Sequence, residues 1–220
     1  IGGRFEHQYY FGKSFLVVPV DSKTEVAEVL FPEINASWYS LAHDEIYHSG
    51  HSILVKAPLH QLPVFVKEGS VIPENAAQQI VNTESNSDTI NIHIYATIHE
   101  GNSYFGNLFF DDGISKNSSF CHYQVNYEKG KLQFKKSGNL DFPHKKVQLI
   151  FHGFMDKQIK LNGKPLKLEP EFQTHFGFDG FIYQEEVYTK LAQPMFKYTV
   201  AVKDLSEITL EFGSDNRSKR

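Results

Sequence analysis

Apolar residues recur at every second position along much of this chain. Ile90, Ile92 and Ile94 alternate with Asn91, His93 and Tyr95. Val147, Leu149 and Phe151 alternate, less cleanly, with Lys146, Gln148, Ile150 and His152. Ile208, Leu210 and Phe212 alternate with Glu207, Thr209 and Glu211. Successive side chains of a strand point to opposite faces, so each segment predicts a strand with one buried face. Further strand-length apolar runs are Phe15–Val20, Glu25–Phe31, Ser52–Lys56, Val64–Lys67, Tyr104–Phe110, Phe120–Tyr127, Lys131–Lys135, Gln158–Leu161 and Phe196–Val202. Turn-forming clusters separate them: Glu100-Gly101-Asn102, Asp111-Asp112-Gly113, Lys129-Gly130, Ser137-Gly138-Asn139 and Asn162-Gly163. Lys129-Gly130 and Asn162-Gly163 each lie between two apolar runs and predict hairpins. No segment keeps a helical period for about ten residues, and Asn75–Asn82 allows a short helix at most. The expectation is an all-β chain with little helix, built as two antiparallel β-sandwich domains in tandem.

The polar stretch 74–88, which holds Thr83-Glu-Ser-Asn-Ser-Asp88, divides the pattern as a linker or long surface loop. It separates an expected smaller β-domain at 13–73 from a larger one at 89–212. Residues 213–220 form a polar tail.

Composition narrows the functional classes. Nineteen Phe and eleven Tyr in 220 residues carry too much burial-seeking surface for a disordered tail. The formal net charge of -4 argues against an electrostatic nucleic-acid binder. The longest apolar run, Ser14-Phe-Leu-Val-Val-Pro-Val20, is far shorter than a membrane helix and holds a proline. A single cysteine, Cys121, excludes a disulfide framework and a cysteine-rich zinc site.

Candidate chemistry is sparse. Asp111 and Asp112 are a carboxylate pair that could serve acid–base chemistry or a cation. Adjacent residues of an extended chain diverge, however, and Asp-Asp-Gly is also what a tight turn requires. His43, His48 and His51 lie close in sequence but lack the i, i+4 spacing of a helical zinc motif. Cys121-His122 suggests a nucleophile and base on paper, yet neighbours on a strand point apart. Ser14 has no Gly-x-Ser-x-Gly elbow around it. Trp38 and Tyr39 offer rings for stacking on sugar, against the alternative of a β-sandwich core. Asn35, Asn117 and Asn216 open glycosylation tripeptides. From these residues alone no catalytic or metal site is assigned.

The first seventy or so residues hold His7-Gln8-Tyr9-Tyr10-Phe11-Gly12, Ser14-Phe-Leu-Val-Val-Pro-Val20, Leu30-Phe-Pro32, Trp38-Tyr39 and Glu45-Ile-Tyr47 before Gly50. Ala57-Pro58-Leu59, Leu62-Pro-Val-Phe-Val66 and Glu68-Gly-Ser-Val-Ile-Pro73 follow. In this order they resemble the segment that follows the catalytic barrel in family 31 glycoside hydrolases. Leu108-Phe-Phe-Asp-Asp-Gly113 is similar to a turn of the family's distal C-terminal domain, and Leu161-Asn-Gly-Lys-Pro165 to a later hairpin. Ser40-Leu-Ala-His43-Asp44 departs from the family, which carries an aspartate, a second Trp and a Thr-Gly there.

The resemblance implies that residues 1–12 end the barrel region and that the proximal and distal C-terminal β-domains follow. Family members hydrolyse α-glycosidic bonds with retention, using two aspartates on the barrel. The nucleophile's Trp-x-Asp-Met-Asn-Glu motif does not occur in this chain, so no catalytic residue carries over. The expected role is non-catalytic: two β-domains of an α-glucosidase-like enzyme that pack against and stabilise its barrel. The expected partners are that barrel and the parent's oligosaccharide substrate, without cofactor, nucleic acid or membrane. Any targeting segment would lie upstream of Ile1. The rival expectation is a free-standing carbohydrate-binding or adhesive β-sandwich protein.

Overall fold

A computed structural model describes residues 7–20, 25–32, 35–42, 45–58, 61–75, 88–99, 101–116, 118–154, 159–166, 169–171 and 195–213. The first unit contains β1 (Tyr9–Phe11), β2 (Phe15–Val17), β3 (Val26–Leu30), β4 (Ser37–Ser40), β5 (Ile46–His48), β6 (Ser52–Lys56) and β7 (Val64–Lys67). Five of these form an antiparallel sheet in the order β1-β2-β7-β4-β5, and β3 pairs with β6 as a separate ribbon. Leu16, Trp38 and Phe65 from the sheet meet Val29 and Val55 from the ribbon, with Phe31 between them. The Phe31 ring stacks on Tyr47 at 5.0 Å and meets the edge of Phe65 at 4.9 Å. Burial of such rings is the main source of stability for so small a unit.

The second unit contains β8 (Val71–Asn75), β9 (Thr89–Tyr95), β10 (Asn107–Phe110), β11 (Cys121–Glu128), β12 (Lys131–Gly138), β13 (Lys146–His152), β14 (Ile159–Leu161), β15 (Lys164–Pro165), β16 (Glu169–Glu171), β17 (Met195–Ala201) and β18 (Thr209–Phe212). Two sheets face each other, ordered β10-β11-β12-β18-β14-β15 and β16-β17-β13-β9-β8. The predicted inward positions Ile90, Ile92, Ile94, Val147, Leu149 and Phe151 fill the core with Tyr123, Leu132, Phe134 and Leu210 from the opposite sheet. Both predicted hairpins form. Lys129 and Gly130 have φ of 51° and 77°, and Asn162 and Gly163 have φ of 51° and 79°. Paired positive φ matches the right-handed twist of the flanking strands.

Two features depart from a simple tandem of antiparallel sandwiches. First, β9 and β13 pair in parallel, from Lys146 beside Thr89 to His152 beside Tyr95. Between them the chain reverses repeatedly through β10, β11 and β12 on the facing sheet, and so returns in its original direction. Second, β8 runs across the expected boundary at residue 73 and pairs along its length with β9. Pro73 is tolerated because β8 is a sheet edge. The expected linker lies outside the described residues from 76 to 87.

Candidate functional site

The alternation of β4 sends Trp38 and Tyr39 to opposite faces of the first sheet. Both are 0% exposed. Trp38 enters the core of the first unit, and its indole Nε1 donates to the Pro32 carbonyl at 3.3 Å. Tyr39 enters the seam between the units. There it packs with Val66, Tyr95 and the partly buried Phe15, Leu41, Ile46, Ile72 and Ile98. Its hydroxyl donates to the Ala96 carbonyl at 2.7 Å. Neither ring therefore offers an open face for a sugar.

Asp111 and Asp112 each direct Oδ1 back onto their own turn. Asp111 Oδ1 accepts from the Gly113 amide at 2.9 Å. Asp112 Oδ1 accepts from the amides of Ile114 at 3.0 Å and Ser115 at 2.9 Å. The Ile114 amide, followed by that of Ser115, holds the exposed Asp112 carboxyl below its ordinary range. Among the described residues, no group of three or more His, Cys, Asp or Glu could hold a metal ion.

The other sequence candidates are dispersed. His48 Nδ1 shares a hydrogen bond of 3.0 Å with Ser37 Oγ, His51 is exposed, and His43 lies outside the described residues. Cys121 is buried in the second core, whereas His122 turns outward toward the ring of Phe109. The two therefore do not meet, for the reason that adjacent strand residues diverge. Asn117 and Asn216 lie outside the described residues, and Asn35 sits in a turn with φ of 63°.

The seam itself holds the densest polar chemistry, and single-residue motifs gave no warning of it. Glu68 follows β7 and is buried with its side chain 0% exposed. Its Oε2 accepts from the Ile98 amide at 2.6 Å and the His99 amide at 3.4 Å. Its Oε1 meets His99 Nδ1 at 2.9 Å and accepts from the Asn102 side-chain amide. A first-unit carboxylate thus organises a loop of the second unit. Backbone bonds continue the join: Gly69 N donates to Tyr95 O at 3.0 Å, and Tyr95 N donates to Ser70 O at 3.0 Å. Beyond Tyr95 lies a second polar chain. Glu74 Oε2 is 2.7 Å from His93 Nε2, and His93 Nδ1 is 2.9 Å from His152 Nε2. Chiefly through its hydrogen bond to His93, the Glu74 carboxyl lies below its ordinary range despite partial burial. A sequence signal for this cluster did exist: histidines occupy the nominally polar positions of two strands, β9 and β13.

At the other end of the first unit, β1 is an edge strand with an aromatic surface. Tyr9, Tyr10 and Phe11 are 52%, 45% and 66% exposed. Gln8, just before it, reaches the edge of β3. Its side chain donates to Leu30 O at 2.8 Å and accepts from Leu30 N at 3.0 Å.

These features define a tandem β-sandwich module welded through a polar and aromatic seam. Residues 3–72 match the glycosyl hydrolase family 31 C-terminal domain. It is 27% identical over 174 residues to an alpha-xylosidase of Saccharolobus solfataricus, covering 73% of this chain and 23% of that protein. It is 28% identical over 135 residues to human neutral alpha-glucosidase AB, covering 61% of this chain and 14% of that protein. The chain thus spans less than a quarter of the length of these relatives. Among solved structures, a Flavobacterium johnsoniae family 31 dextranase complexed with isomaltotriose superposes with a TM-score of 0.63 at 18% identity. That match covers 94% of this chain and 27% of the dextranase chain. An alpha-xylosidase from Xanthomonas citri gives 0.59 at 21% identity, covering 96% and 20%. At these identities the likeness is one of fold.

Proposed function

We propose that this chain supplies the proximal and distal C-terminal β-domains of a family 31 α-glycosidase and is non-catalytic by itself. In this reading the domains pack on and stabilise a catalytic barrel. That barrel hydrolyses α-glycosidic bonds of an oligosaccharide with retention, using a carboxylate pair that this chain does not provide. The observation that carries the reading is the exposed aromatic strand Tyr9–Phe11, set in the family-matching segment where the resemblance puts the end of the barrel region. Tyr9 and Phe11 share one face of this edge strand and are about half or more exposed, which suits an inter-domain contact of the usual extent of about 600–1,500 Å².

The test joins this chain to the barrel encoded upstream of it. Tyr9→Ser together with Phe11→Ser should lower the melting temperature and activity of the joined protein by clearly more than it lowers the isolated chain's melting temperature. An equal loss in both would mean that the rings serve the first unit itself. The isolated chain should not turn over a nitrophenyl α-glucoside. Turnover that disappears on Asp111→Asn or Asp112→Asn would overturn the non-catalytic assignment.

A further inference from the structure

The chain of Glu74, His93 and His152 obeys a proton count. The three residues come from three neighbouring strands, β8, β9 and β13. His93 and His152 are both buried, and the rings lie nearly parallel with centroids 5.2 Å apart. His152 also stacks face to face on Tyr95 at 4.2 Å and 9°. Tyr95 in turn meets Tyr39 of the first unit at 5.3 Å. A change in the His152 ring is therefore felt at the seam through one intervening side chain.

Two imidazole nitrogens 2.9 Å apart require one proton between them. With none, two lone pairs face each other; with two, both N–H groups do. The carboxylate of Glu74 fixes a further proton on His93 Nε2. The shared proton can sit on either ring, but the closed pair carries at most one positive charge. A second charge needs an additional proton at the contact that is already filled. The ionisable groups placed beside this chain include Tyr95 on β9, Tyr39 on β4, Lys197 on β17 and, at the position opposite Lys197, Glu169 on β16. Lys197 lies opposite Ile150, on the same sheet face as His93 and His152. Glu74, bonded to His93, can balance one imidazolium.

We propose that Glu74, His93 and His152 form an acid-sensitive clamp on the seam, closed with one proton between the facing imidazoles and opened by a second. The opened pair can bind two charges where the closed pair binds one. By linkage the seam loses stability as pH falls once the closed pair holds its one charge, because the next proton binds only the opened pair. Acidification would then uncouple the two units while each keeps its own core.

Site-resolved hydrogen exchange on the 220-residue chain tests this. Corrected for intrinsic rates, protection of the Gly69, Tyr95 and Ala96 amides should fall roughly tenfold or more between about pH 7.5 and 5, the size expected for one extra histidine proton. The Leu132 and Leu210 amides, in the core of the second unit, should keep theirs. His152→Gln leaves an amide where the ring nitrogen lay and cannot take up the charge. It should abolish the acid response at the seam. An unchanged seam, a uniform loss in both regions, or an undiminished response in His152→Gln overturns the clamp. If that variant does not fold, nitrogen-15 shifts of the wild-type rings decide the matter. Two full imidazoliums in a still-protected seam contradict the proposal, and a second protonation concurrent with loss of protection upholds it.

Discussion

Glu68 ties the first unit to a loop of the second through four hydrogen-bond partners. Its buried carboxylate accepts from two backbone amides and also binds His99 and Asn102. Hydrogen bonds to an ionised group contribute about 1.5–3 kcal/mol each at most, and a buried acceptor left short of donors is costly. Glu68→Gln keeps the shape but turns one oxygen into a donor that faces donors. It should cost about 2–3 kcal/mol in urea denaturation, with the Ile98 amide losing protection first. Tyr39 makes a subtler tie. A Cβ placed on Gly153, whose φ is +72°, would lie 2.5 Å from the Tyr39 hydroxyl. Gly153→Ala is therefore strained in both backbone and space, and about 1–3 kcal/mol is expected. Tyr39→Phe removes the hydroxyl and strands the Ala96 carbonyl, at about 1 kcal/mol. The new methyl would meet the lost hydroxyl but also ring carbons that phenylalanine keeps, so the double variant should be only modestly less destabilised than the sum of the two. A double-mutant cycle reads that coupling directly.

At the scale of elements, the turn that follows β17 shows a carboxylate with a defined duty. Asp204 caps the short 3-10 turn Leu205–Glu207, accepting from the Ser206 amide at 2.9 Å, and its Oδ2 accepts from Lys136 Nζ of β12 at 2.9 Å. Partial burial opposes the Asp204 charge. The Ser206 hydroxyl and amide, with Lys136, outweigh that and hold its carboxyl down to about 2. The sign follows from the lowered value. The contribution is complete above the ordinary aspartate range near about 4, and it disappears as pH falls through about 2. Asp204→Ala should destabilise the chain by about 1 kcal/mol at neutral pH and flatten its acid denaturation in that window. Much at this scale is legible in the sequence. The alternations at Ile90–Ile94 and Val147–Phe151, and the turn pairs Lys129-Gly130 and Asn162-Gly163, are local signals that the fold obeys. The parallel pairing of β9 with β13 and the placement of β8 are not. They depend on which sheet a strand joins, and alternation identifies a strand's buried face without naming its neighbour. Glu68 was illegible for the same reason: its partners lie about thirty residues away.

For the whole molecule, the two units share backbone hydrogen bonds, a buried carboxylate and an aromatic stack. They should unfold as a single transition at neutral pH, with far-ultraviolet and near-ultraviolet dichroism coinciding. Two separate transitions in the wild-type chain would mean that the seam contributes little. Trp38→Ala would empty a fully buried site and should cost about 3–5 kcal/mol. Loss of sugar binding in that variant would consequently report unfolding rather than a missing platform.

The course of β8 has a practical reach for anyone who divides this module. Only Glu68, Gly69 and Ser70 separate β7 from β8, yet Val71–Asn75 completes the sheet of the second unit. A shorter chain that starts at Asp88 would leave the β9 backbone groups without their ladder partners. It would also remove Glu74 from His93. The bare edge would recruit another strand, and the closest available is β9 of an identical molecule. Such a fragment should dimerise or aggregate in light scattering, whereas one that begins at Gly69 retains its own edge strand. The sheet of the second unit is thus finished by chain that comes directly from the first.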